Sequence, residues 1–130
     1  MIKRVESAIR VRLDVICREA GITRMQYVAL SVLHVHPGMS SAQLAVRSFV
    51  SAQSGNEIVA ALERMGYIER TPDSTNSRIL RIQLTDEGIA MVNRCDAAVD
   101  ELEAKMLRGI APGDVRLVSR TLDAVIENLS

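Results

Sequence analysis

A mainly α-helical fold carrying one small β-hairpin is predicted, on three observations. Hydrophobic residues make up 48% of the 130-residue chain but aromatic ones only 2%, so the core must be aliphatic, which suits helices packed on helices. Apolar positions recur at three- and four-residue steps over most of the sequence, the signature of helical faces. Two-residue alternation is confined to the stretches on either side of a polar, turn-rich segment at residues 72–77. From Ser40 to Thr85 the order is therefore short helix, turn, longer helix and two strands, a helix-turn-helix with a hairpin wing. Such a motif serves to put one helix end into a DNA groove.

The first helix runs from Ile2 to about Ala20. Ile2, Val5, Ile9, Leu13, Ile16 and Ala20 form one face, and Gly21 sits where a left-handed C-terminal cap belongs. Thr23 opens the second helix in a capping box with Gln26. Its inner face is Tyr27, Leu30, Val32 and Leu33, and His36-Pro37-Gly38 ends it. Ser40 and Gln43 repeat the box before a short helix to about Arg47, with Leu44 and Ala45 inward. Phe49 and Val50 make the turn. Ser51 caps the longer helix, whose inner face is Ile58, Val59, Ala61, Leu62 and Met65 and which closes at Gly66. The start of this helix, Ser51 to Glu57, is small and polar, so its N-terminal half has almost nothing to bury and is free to meet a partner.

Tyr67–Thr71 and Arg78–Leu84 alternate as strands, with Leu80, Ile82 and Leu84 on one face; the turn formers from Pro72 to Ser77 join them. Thr85 caps the next helix, with Asp86 and Glu87 in the first turn, where the helix dipole favours acids. Its seam is Val92, Cys95, Val99, Leu102 and Met106. Gly109 breaks it, and Pro112 opens the last helix, which carries Val115, Val118, Leu122, Val125, Ile126 and Leu129. The long helices at the two ends of the chain present seams that the small central unit cannot cover, and such faces find a second copy. The expected organisation is a single domain over residues 1–130: a dimerisation helix at 1–20, a winged helix-turn-helix lobe at 23–85 and C-terminal dimerisation helices at 86–130.

Lys plus Arg equal Asp plus Glu at 16 each, so attraction to phosphate must come from local segregation of charge. No run approaches the about 20 apolar residues of a membrane span, and the charged first residues differ from a signal peptide; no membrane partner is expected and the expected location is cytoplasmic. Cys17 and Cys95, far apart in sequence, signal neither a disulfide framework nor a zinc site. His34 and His36 point to different sides of a helix and cannot share a metal. No nucleophile–base order, Gly-rich phosphate loop or carboxylate pair can be assembled. The chain is expected to be no enzyme and to need no cofactor.

Several stretches carry a family resemblance. They are Gly21-Ile22-Thr23 with Gln26-Tyr27 and Leu30, and Met39-Ser40 with Gln43-Leu44-Ala45. They continue with Leu62-Glu63-Arg64-Met65-Gly66-Tyr67-Ile68, Arg70, Pro72-Asp73, Asn76-Ser77-Arg78 and Leu84-Thr85-Asp86-Glu87-Gly88. In order and spacing the chain resembles the multiple antibiotic resistance regulator (MarR) family of winged helix-turn-helix transcription factors over nearly its whole length. The resemblance implies a homodimeric repressor held together by the first and last two helices. Two lobes would read an inverted repeat in double-stranded DNA, and a small aromatic or acidic effector would bind in a crevice between lobe and dimer helices.

Helix N-termini attract phosphate through free N–H groups, which makes Ser40 and Ser41 candidates on the short helix. On the longer one Ser51, Gln53, Ser54 and Asn56 are expected to be exposed, with Gln53 and Asn56 at base edges. In the wing the candidates are Asn76, Ser77 and Arg78. The family pairs an arginine at the position of Arg78 with an acid two residues earlier; here that residue is Asn76. Ser77 and Glu57 stand where Arg is common. Each departure removes a phosphate contact or adds a repulsion, so the alternative is a protein-interaction module that has lost specific DNA binding. Candidate effector contacts are Arg12, Ile16, Tyr27 and His34. Cys17 lies too near the end of its helix to match the reactive cysteine of the family's oxidant-sensing branch, and reads as a packing thiol.

Overall fold

The computed structural model describes residues 1–130. In chain order it contains α1 (Ile2–Ala20), α2 (Arg24–Val35), α3 (Ser41–Arg47), α4 (Ala52–Arg64), β1 (Ile68–Pro72), β2 (Leu80–Leu84), α5 (Asp86–Met106) and α6 (Pro112–Leu129). The chain divides into two compact units, Met1–Val99 and Asp100–Ser130.

In the first unit, local hydrogen bonds set the helix ends. Gly21 adopts φ 90° and closes α1. Both capping boxes form. Thr23 Oγ1 accepts from Gln26 N at 3.1 Å while Gln26 Oε1 accepts from Thr23 N at 3.0 Å, and Ser40 and Gln43 repeat the exchange at 3.2 and 3.0 Å. Losing such a cap costs about 1 kcal/mol. The core gathers Cys17 from α1, Leu30 and Leu33 from α2, Leu44 from α3, and Val59 and Leu62 from α4. Ile68 and Ile82 join it from the hairpin, and Met91, Val92 and Cys95 from α5. It is aliphatic at its centre, with Tyr27 and Tyr67 at its margin.

β1 and β2 pair antiparallel, Ile68 opposite Leu84 and Pro72 opposite Leu80. A hairpin alone is marginal in water. This one gains a further rung from the α2–α3 connection: Ile82 N donates to Met39 O at 2.9 Å and Gly38 N to Ile82 O at 3.0 Å. At the other end, Thr85 Oγ1 donates to Gly66 O at 2.6 Å and accepts from Gly88 N at 3.1 Å. Gly88 is obligatory there, because a Cβ would stand 2.1 Å from the Tyr67 carbonyl oxygen.

Three details differ from the sequence expectation. Met65 is not core but 40% exposed; from Val59 through Leu62, two three-residue steps drift about 120° round a helix and carry it off the buried stripe. The strands start at Ile68 and Leu80, not Tyr67 and Arg78, and Pro72 is in β1. The turn closes through Asp73 N to Ile79 O (2.8 Å) and Ile79 N to Asn76 O (3.0 Å), leaving Arg78 in the loop. Leu80, at the outer end of the ladder, is exposed whereas Ile82 is buried.

The second unit comprises the end of α5, a turn at Gly109 with φ 79°, and α6, which begins with Pro112 after the N-cap Ala111. No residue of α6 is buried; Leu117, Val118, Leu122, Val125, Ile126 and Leu129 lie exposed along it. In the first unit Ile2 and Val5 of α1 are likewise exposed. No helix is long and apolar enough to cross a membrane.

Candidate nucleic-acid interface

The α3–α4 turn depends on a left-handed residue, and this chain places Phe49 there, at φ 57°. A bulky residue in that region costs about 1–2 kcal/mol, and the ring is 94% exposed. Ser51 Oγ accepts from Ser54 N at 3.1 Å and so caps α4. Ser51, Gln53 and Asn56 are exposed, as expected, but Ser54 is only half-exposed and Gly55 is buried. A Cβ on Gly55 would lie 2.7 Å from Ala45 Cβ. The N-terminal half of α4 therefore does bury something: its backbone, against α3.

An open groove of about 470 Å³ runs between α3, α4 and the wing, and Ser40, Ser41, Asn56, Arg70, Arg78 and Arg81 contribute to its walls. Of the residues singled out in the sequence, it gathers Ser40, Ser41, Asn56 and Arg78. Ser51, Gln53, Ser54, Asn76 and Ser77 lie outside its lining. Across it Ser41 Oγ donates to Asn56 Oδ1 at 2.6 Å. On the exposed side of α4, Gln53 Nε2 donates to Glu57 Oε1 at 3.4 Å.

The three wing arginines differ in what they meet. Arg70 grips Glu63 with two bonds, at 3.0 and 2.9 Å, and this holds the Glu63 carboxyl below its usual range. Arg81 donates to Asp73 at 3.0 Å and to Gly38 O at 3.3 Å. Asp73 also accepts from Thr75 N, Thr75 Oγ1 and Asn76 N, and bonding to Thr75 and then Arg81 holds its pKa well below the ordinary carboxylate value. Arg78 pairs with no carboxylate. Its backbone N–H donates to Asn76 Oδ1 at 3.1 Å. The expected stiffening partner of Arg78 is thus replaced: Asp73 and Arg81 brace the wing, Asn76 shapes the loop, and the Arg78 guanidinium is without a carboxylate. Arg70 and Arg81 were not among the sequence candidates. Their signal was the clustering of Arg70, Arg78 and Arg81 within one hairpin.

Charge is segregated along the chain. Residues 23–85 hold six arginines against four acids, whereas residues 86–130 hold five basic and nine acidic residues.

The four effector candidates sit in different local surroundings. Ile16 lines a hollow of about 190 Å³ with Glu19, Ala20, Arg94, Cys95 and Ala98. Tyr27 Oη donates to Asp96 Oδ1 at 2.5 Å; burial first, and this bond second, raise the phenol pKa. Arg12 bonds to Ala8 O on its own helix at 3.3 Å, and His34 is exposed on α2. Cys17 and Cys95 are buried free thiols. Burial pushes Cys17 up to about 11, so it stays protonated near neutrality and packs as a small apolar group.

A model of the MarR family matches residues 20–79. Over 123 residues, 95% of this chain and 88% of the relative, the sequence is 29% identical to the HTH-type transcriptional repressor Rv2887 of Mycobacterium tuberculosis. The crystal structure of that mycobacterial MarR family protein in complex with DNA has a TM-score of 0.82 at 28% identity, covering 95% of this chain and 93% of that one. Its complex with salicylic acid gives 0.78 at 29% identity, covering 95% and 92%.

Proposed function

This chain belongs to the MarR family and is a DNA-binding transcriptional regulator rather than an enzyme, and on that premise we propose that it works as a homodimeric repressor of a palindromic operator, released by a small-molecule effector. The observation that carries the proposal is the groove: the exposed Asn56 amide and the half-buried hydroxyls of Ser40 and Ser41 stand beside Arg78, an arginine with no carboxylate partner. In this reading Gln53 and Asn56 meet base edges while Ser40, Ser51, Ser54 and the wing residues Asn76, Ser77 and Arg78 fix register on the backbone. The exposed apolar sides of α1 and α6 are the dimer surfaces, and twofold symmetry sets half-sites about 34 Å apart. That the mycobacterial relative is a repressor solved with DNA supports the reading.

An aromatic acid is the proposed effector class. The relative has been solved with salicylic acid, and the hollow beside Ile16 has apolar walls at Ile16, Ala20, Cys95 and Ala98, with the Arg94 guanidinium and the Glu19 carboxylate as its charged groups. The deciding experiment is a gel-shift with the dimeric protein against DNA flanking its own gene, followed by titration with salicylate. A retarded band that salicylate dissolves is expected. If no band forms at low salt, the interaction-module reading, motivated by Glu57, Ser77 and formal neutrality, takes its place.

A further inference from the structure

Where α3 crosses α4, one hydrogen bond fixes which end of an amide faces outward. Ser41 Oγ donates to Asn56 Oδ1 at 2.6 Å. The contact depends on the bare residue beside it. A Cβ at Gly55 would stand 2.7 Å from Ala45 Cβ and 3.4 Å from Ala45 Cα, so only glycine lets α4 settle close enough for the Ser41 hydroxyl to reach the next residue. Ser41 is half-buried, Asn56 is exposed, and both line the groove.

With Oδ1 committed to the hydroxyl, Asn56 Nδ2 has no protein partner, and its two N–H groups are what the residue offers a ligand. An asparagine free to turn pairs bidentately with adenine, donating to N7 and accepting from N6. The second lone pair of Oδ1 does not restore that pairing, because the oxygen is turned toward α3 and the amide must rotate to bring it to a base. Held this way the amide suits an edge made of acceptors alone, and in the major groove guanine presents two, O6 and N7.

We infer that Ser41 is a positioning residue that sets sequence specificity: by turning the Asn56 amide nitrogen outward it makes the recognition helix read guanine where an unheld asparagine reads adenine. The inference rests on the operator-binding reading above and adds to it the base that is recognised.

The test is selection of bound duplexes from a randomised pool, using the full chain and the variants Ser41→Ala, Ser41→Thr and Asn56→Ala, each checked for fold by its melting curve. The parent is expected to select guanine at one position per half-site that Asn56→Ala no longer discriminates, with a preference of roughly 5- to 150-fold, the range for one bidentate base contact. Ser41→Ala exchanges that guanine for adenine; Ser41→Thr, which keeps the hydroxyl, retains it. Unchanged selection by Ser41→Ala overturns the inference and leaves the operator-binding reading intact, whereas a parent that selects nothing overturns both. If Ser41→Ala does not fold, the parent's own base at the Asn56-dependent position decides, guanine upholding the inference and adenine ending it.

Discussion

Only one of the three wing arginines should govern the salt dependence of DNA binding. Arg70 is neutralised by a two-bond grip on Glu63, at 2.9 and 3.0 Å, and Arg81 by Asp73 at 3.0 Å. A cation already paired with a carboxylate has little counterion release left to contribute on meeting phosphate, whereas Arg78 has its full charge available. Each phosphate neutralised adds about 0.9 to the slope of log K against log salt on duplex DNA. A dimer presents two wings, so Arg78→Ala should shallow the slope by roughly 1.8. Between 50 and 200 mM salt that amounts to about a 12-fold shrinkage in the affinity gap between parent and variant. The charge-neutral double variant Glu63→Ala with Arg70→Ala should leave the slope where it was. Fluorescence anisotropy with a labelled operator at five or more salt concentrations reads both. An unaltered slope for Arg78→Ala, or an equal loss in the double variant, refutes the assignment of free and spent charge.

Gly88→Ala should destabilise the chain by about 1–3 kcal/mol or more, since clearing the 2.1 Å approach to Tyr67 O means moving the backbone of a close-packed core; urea unfolding measures it, and a parental midpoint would show that α5 can shift freely. The Cys17 thiol, raised from 9.0 to about 11 by burial, and the Tyr27 phenol, raised chiefly by burial, are both neutral in the folded state beyond the pH at which an unfolded chain ionises them. Their contribution is therefore complete below about pH 9 and disappears as pH rises through the folded values, so the urea midpoint should fall between pH 9 and 11, and a flat profile contradicts it. Leu122→Glu, on the exposed apolar side of α6, should convert a dimer to a monomer in light scattering at micromolar concentration; a monomeric parent would remove the basis of the twofold operator.

What could be read from the sequence was whatever neighbours in sequence decide. Thr23 with Gln26, Ser40 with Gln43, and Gly21 act within one helical turn, so their caps appear where their spacing puts them. Gly55 could not be read, because its meaning lies in Ala45, ten residues earlier and across a helix crossing. The wing's pairing was hidden for a related reason. Which arginine meets Asp73 depends on hairpin register, and the register depends on the turn closing between Asp73 and Ile79, which places Arg81 opposite Thr71 and strands Arg78 in the loop. The effector candidates come two each from α1 and α2, and helical periodicity says which face is inward without saying which inward faces share a cavity.

Formal neutrality and DNA recognition are reconciled by where the charges sit and which of them are already matched. The lobe segment has six arginines to four acids, the compensating acids belong to the C-terminal helices, and screening limits what any exposed charge feels to about 8 Å at physiological ionic strength. Within that radius a duplex laid in the proposed groove would meet few free cations, Arg78 foremost, beside the Ser41 hydroxyl and the Asn56 amide. Non-specific affinity scales with phosphates neutralised, while discrimination comes from base edges. On the proposed operator-binding reading, a lobe poor in free charge and rich in amides should bind random DNA weakly and spend a larger share of its affinity on sequence. The departures at Glu57 and Ser77 then lower background binding more than operator choice, and the ratio of operator to random-DNA affinity should exceed what the shallow salt slope alone implies.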